Sequence, residues 1–171
     1  MLILSGCLHK DDDTDVAESC GSGEFDYLGC WVSQECKQAE DGQGNLFERW
    51  FKSEYNFTPL GKLEVTVFEY LDSSCSGGIK NTNIDAEIEV KHLFVQEIIN
   101  DEGLTGSEVK ITMISEQTTI EVNGGIFVTS EEELCSTKSL NFGPDSFGIS
   151  AAGLAKDTEL YENCLVRGKL P

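Results

Sequence analysis

The chain has 171 residues, enough for one domain with a real core, and 39% of them are hydrophobic, which suits a β protein with one wet face or an attached tail. Lys and Arg number 12 against 31 Asp and Glu, a formal charge of −19 that repels phosphate backbones and anionic lipid, so nucleic acid is not expected as a partner. Nowhere does it carry the run of roughly 18 apolar residues that a membrane-spanning helix needs.

The first signal lies at the start. Leu4-Ser5-Gly6-Cys7 resembles the lipobox of bacterial lipoproteins, where a diacylglyceryl group is attached to the cysteine and the peptide is cut just before it. Small residues at Ser5 and Gly6 let a protease reach the backbone, Leu4 sits in the membrane, and the Cys7 thiol is the nucleophile that takes the lipid. The resemblance implies export and a membrane anchor of palmitate type on Cys7. Each buried methylene adds ~0.8 kcal/mol, so three acyl chains hold firmly. A complete signal peptide has a charged n-region and an apolar h-region of roughly 7–15 residues. Here only Met1, Leu2, Ile3 and Leu4 precede Ser5, without Lys or Arg. Residues 1–6 are therefore read as a signal-peptide remnant whose true start lies upstream. In diderm cells of the enterobacterial kind, Asp after the lipidated Cys retains a lipoprotein at the inner membrane. Leu8 stands there instead, so the resemblance implies the outer membrane.

Residues 7–24 comprise the lipidated cysteine and a flexible acidic tether, rich in Asp, Ser and Gly and without hydrophobic period. Such a segment spans roughly 20–25 Å, enough to clear lipid headgroups. Asp11, Asp12, Asp13 and Asp15 lack the spacing and the distal Glu of a calcium loop, so no metal is expected there.

Residues 25–171 read as the β domain. Phe25–Val32 is a first strand and Leu46–Phe57 an aromatic-rich second. Thr58-Pro59-Leu60-Gly61-Lys62 is a turn, and Leu63–Leu71 completes a hairpin, with Leu63, Val65 and Val67 alternating against Glu64 and Thr66. Ala86–Val95 alternates again, with Ile88, Val90, His92 and Phe94 on one face. Asp101-Glu102-Gly103 interrupts, and Val109, Ile111 and Met113 mark a fifth strand. Thr118–Val122 and Ile126–Ser130 flank Asn123-Gly124-Gly125, which reads as a hairpin turn. Glu131-Glu132-Glu133 reads as a loop or a single helical turn, and Gly148–Lys156 as a short helix or loop. Ser139–Phe142 and Leu160–Val166 are weaker strands. The expectation is an all-β fold, an antiparallel up-and-down barrel of about eight strands, whose closure removes exposed edges. The alternative is a two-sheet β-sandwich.

Gly29-Cys30-Trp31 resembles the G-x-W signature of lipocalins, where Trp closes one barrel end and packs near the last strand; Arg167 is the expected partner. Gly29 to Cys36, followed by Tyr70-Leu71-Asp72-Ser73-Ser74-Cys75, resembles a group of bacterial lipocalin-like lipoproteins. That likeness implies a Cys36–Cys75 disulfide and no enzymatic activity. It departs at Cys30, where a small residue is usual, and finds no match in the last third of the chain.

Seven cysteines are odd in number, and Cys7 as lipid carrier leaves six for three bridges. Cys20, Cys30, Cys135 and Cys164 pair either as Cys30–Cys164 with Cys20–Cys135 or as Cys20–Cys30 with Cys135–Cys164. A zinc site lacks CxxC pairs, and only His9 and His92 could assist. No nucleophile triad is assembled around either histidine, and no phosphate loop opens a helix, so neither a catalytic site nor a cofactor is expected. The functional expectation is a membrane-anchored binding module for a small apolar ligand. Trp31, Phe47, Phe51, Val65, Val67, Ile88, Val90 and Phe94 are the candidate lining residues, with His92 as a polar group among them. The alternative is a filled barrel that presents its acidic surface to a basic envelope protein.

Overall fold

The computed structural model describes residues 20, 23–41, 43–84, 89–129, 132–137, 139–142, 147–149 and 164–170. The lipobox with Cys7, most of the tether, Ile88, Glu131 and most of 148–163 lie outside the described residues. The strands are β1 (Gly29–Ser33), β2 (Lys37–Glu40), β3 (Leu46–Phe57), β4 (Lys62–Tyr70), β5 (Ile79–Ile84), β6 (Glu89–Ile99), β7 (Thr105–Ile114), β8 (Thr119–Val128), β9 (Glu133–Ser136), β10 (Leu140–Phe142), β11 (Phe147–Ile149) and β12 (Leu165–Arg167). No helix occurs among the described residues.

Eight strands close an antiparallel up-and-down barrel in the order β1-β3-β4-β6-β7-β8-β9-β12, with β12 returning to β1. The sandwich alternative is thereby set aside. Two walls continue past the ring. β2 pairs with the first half of β3, and β5 with the second half of β4, so a four-stranded extension projects from one side. The strand expected over 86–95 begins at Glu89 and runs on to Ile99, and β2 and β5 carry too little hydrophobic pattern to be seen in the sequence.

The β3–β4 hairpin forms as its sequence dictates. Gly61 supplies the positive φ of +81° that the turn requires, and Thr58 Oγ1 accepts a hydrogen bond from the Lys62 amide at 3.0 Å. Alternation then sends Tyr55, Phe57 and Leu63 inward, where all three are buried, while Asn56 and Glu64 pair outside. β6 sends Val90 and His92 inward, and β7 sends Val109 and Ile111.

The Asn123-Gly124-Gly125 hairpin is overturned. β8 runs straight through it, pairing Asn123 with Lys110 and Gly124 with Val109. The glycines serve close approach instead of a turn. A Cβ on Gly124 would collide with the Leu140 side chain and lie 2.8 Å from Ser139 Oγ. Leu140 and Phe142 occupy the barrel interior. Phe142 packs edge-on against Tyr55 and Phe57 of β3, at centroid distances of 5.2 and 5.7 Å, and Leu140 meets Gly124 on the diametrically opposite wall. Ser139–Phe142, weak as a strand in the sequence, is thus the segment that fills the core.

One end of the barrel is closed by residues 25–28. They form a turn, with the Leu28 amide donating to the Phe25 carbonyl, where the sequence had read the start of a strand. Trp31 is fully buried, and its Nε1 donates to the Tyr27 carbonyl at 2.8 Å. The Arg167 guanidinium lies 4.2 Å over the indole and donates to the Asp26 and Leu28 carbonyls, so the last strand grips the turn.

Disulfides join Cys20 to Cys30, Cys36 to Cys75 and Cys135 to Cys164. The Cys36–Cys75 bond implied by the lipocalin-like pattern is present. Of the two alternatives left open for the others, the local one holds, because β9 and β12 are direct neighbours that bring Cys135 to Cys164. Cys36–Cys75 also anchors a second small core on the outer face of the extension, formed by Phe68, Tyr70, Trp50 and Ile79.

Candidate functional site

The residues expected to line a ligand chamber divide into two groups. Trp31, Val90 and His92 are buried in the barrel core, with Val65 and Phe94 half-buried against it. Phe51 and Val67 are half-buried on the extension, and Phe47 is exposed there; none of the three joins the core cluster. The fold therefore does not gather them around one space. Leu140, Phe142, Tyr55 and Phe57 take the volume between the walls.

His92 is held as a neutral ring. Its Nε2 lies 3.0 Å from the Thr58 carbonyl, which can only accept, so Nε2 carries the proton. Nδ1 is left facing the Tyr27 hydroxyl at 3.5 Å. Burial lowers the His92 pKa, against the opposing pull of the Thr58 and Lys62 carbonyls. As the pH falls, the unfolded chain thus binds its proton before the folded one does. The stability from His92 is full above the unfolded-state value of 6.5 and drains away as the pH falls towards the lower folded value. At the other extreme, burial pushes Tyr27 up to about 12 from 10.0, so its contribution is full below 10 and is lost as the pH rises from 10 to 12. We expect the urea midpoint to decline below pH about 6.5 and the decline to be shallower in His92→Gln. Parallel slopes in the two proteins would show that His92 is not the group responsible.

A hollow does exist beside the closing turn. This cleft of about 220 Å³ lies between the turn and the ends of β6, β7 and β8. Phe25, Tyr27 and Phe94 form its aromatic side; Phe25 stacks on Phe94 at 4.3 Å between centroids and on Tyr27 at 5.7 Å. Glu24, Asp26 and Glu97 bring carboxylates to it, and Thr105, Ser107, Ile126 and Val128 complete the wall. No Lys, Arg or His lines it among the described residues.

Glu97 reaches this cleft through a β-bulge. Between Phe94 and Gln96 the pairing register slips by one residue, so Gln96 faces Glu108 outside while Glu97 joins the side of Phe94. Simple alternation would have put Gln96 there, which is why the sequence pattern missed Glu97. Phe25 and Tyr27 were missed as a pair because a turn, not a strand, sets their direction.

A larger hollow of about 330 Å³ lies on the outer face of β3 and β4, but its acids are already engaged. Glu64 binds Lys62 and Asn56, Glu54 accepts the Leu170 amide, and Lys169 lines the space. No protein-family model, no curated protein and no solved structure matches this chain.

Proposed function

We propose that the chain is a non-enzymatic, lipid-anchored envelope protein whose barrel takes a small ligand in the cleft beside its closing turn, not between its walls. The carrying observation is that, among the described residues, Phe142 and Leu140 occupy the space between the walls where a chamber ligand would sit. The anchor rests on the lipobox resemblance at Cys7, with the acidic tether as spacer and Leu8 favouring the outer membrane. Absence of catalysis is inferred from the lipocalin-like likeness at Gly29–Cys36 and Tyr70–Cys75, and among the described residues no histidine or cysteine lines the cleft.

The filled barrel also favours a second reading, an interaction module. Leu46, Phe47 and Leu71 are exposed on the extension, and the chain's net charge of −19 suits a basic envelope protein.

Two measurements on the exported chain test the first reading. Alkyne-palmitate labelling should mark the protein and vanish in Cys7→Ser; label retained in the variant refutes the anchor. A native mass spectrum should show a bare protein, lighter by the six hydrogens of three disulfides. A lipid-sized passenger would contradict the filled interior.

A further inference from the structure

We propose that the cleft between Phe25, Phe94 and Glu97 binds a small organic cation with an apolar body, of the arylalkylamine class. The inference rests on the cleft being the binding site, and it adds the chemistry of the ligand. Three observations converge on it.

The first is size. At about 220 Å³ the cleft falls below the range of drug-sized pockets, roughly 300–1,000 Å³. It is sized for one ring with a short arm.

The second is the wall. Half-buried Phe25 and Phe94 are stacked before any ligand arrives, with buried Tyr27 behind Phe25, so their remaining surface is ordered and offers an apolar bed without further loss of rotamer freedom.

The third is charge. Glu24, Asp26 and Glu97 stand around that bed with no ion pair to any described residue, and no basic side chain lines the cleft. Four acids elsewhere do have a cation beside them: Glu64 has Lys62, Glu89 has Lys91, Glu121 has Lys110 and Glu69 has Arg49. A net charge of −19 adds a field that concentrates cations and repels carboxylate ligands. An ammonium group beside aromatic rings and unpaired carboxylates is the complement of this surface, and a neutral or anionic ligand of the same shape is not.

The test is calorimetric titration of the full chain at low salt with three probes of nearly one shape: 2-phenylethylamine, 2-phenylethanol and 3-phenylpropionate. The amine is expected to bind, the alcohol roughly tenfold more weakly and the carboxylate not at all. Glu97→Gln, an exposed substitution that leaves the core untouched, should weaken the amine several-fold and leave the alcohol unchanged. Raising the salt to about 1 M should weaken the amine alone. If amine and alcohol bind equally, the cleft is a site but the cation inference fails. If none of the three binds, the cleft reading and the inference fall together.

Discussion

Trp31→Ala is expected to lower the unfolding free energy by about 3–5 kcal/mol, the largest effect of any single substitution in the barrel. The indole is fully buried, so its removal leaves a cavity that a closed ring of strands cannot collapse to fill. Three other groups lose their partner at once. The Tyr27 carbonyl loses its donor, the Arg167 guanidinium loses the ring beneath it, and Tyr55, opposite Trp31 across the β1–β3 pair, loses a neighbour. Chemical denaturation followed by far-UV circular dichroism reads the change. A loss below about 1 kcal/mol would mean that Trp31 caps the barrel without holding it. The companion Arg167→Ala should cost less, because the side chain is exposed and its removal opens no cavity in the core.

Breaking Cys36–Cys75 should have the second largest effect. The bond closes a loop with a sequence separation of 39, for which the chain-entropy model gives about 4 kcal/mol. Cys20–Cys30, with a separation of 10, is worth roughly 3 kcal/mol on the same scale. The difference is sharpened by what each bond holds. Cys36–Cys75 pins the start of β2 to the loop after β4, and the outer cluster of Trp50, Phe68 and Tyr70 packs around it. The Cys36→Ala/Cys75→Ala double variant should therefore unfold at lower guanidinium concentration, with the β2–β5 extension losing hydrogen-exchange protection first. An unchanged midpoint would show that the extension is ordered by its own packing and that the bridge restrains little. In the same experiment the barrel ring, closed by β3–β4 and β1–β12 pairing, should keep its slow-exchanging amides.

The class of this fold is legible along the chain, because period-2 alternation is a local property. Leu63, Val65 and Val67 against Glu64 and Thr66 declare a half-buried strand, and the Thr58–Lys62 turn declares its hairpin, without reference to the rest of the chain. The Gly29-Cys30-Trp31 motif and the Cys36 and Cys75 spacing carried the closing tryptophan and one disulfide, each through a resemblance and not through geometry. The tertiary structure decided everything that depends on which wall faces which. Gly124 and Gly125 look like a turn to any local rule, since glycine tolerates the required φ. They lie in a strand paired with β7, where a Cβ on Gly124 would meet Leu140 and one on Gly125 would meet Phe127 and Thr137, so both positions need glycine for close approach and not for a turn. Among the described residues, Leu140 and Phe142 take the space that alternation alone would have left for a ligand. The cleft is likewise a product of the fold: a bulge at Val95 turns Glu97 to the side of Phe94, and the closing turn lays Phe25 across them. Local patterning encodes which side of a strand is wet. Only packing, which joins residues far apart in the chain, encodes what stands on the dry side and whether any space remains there.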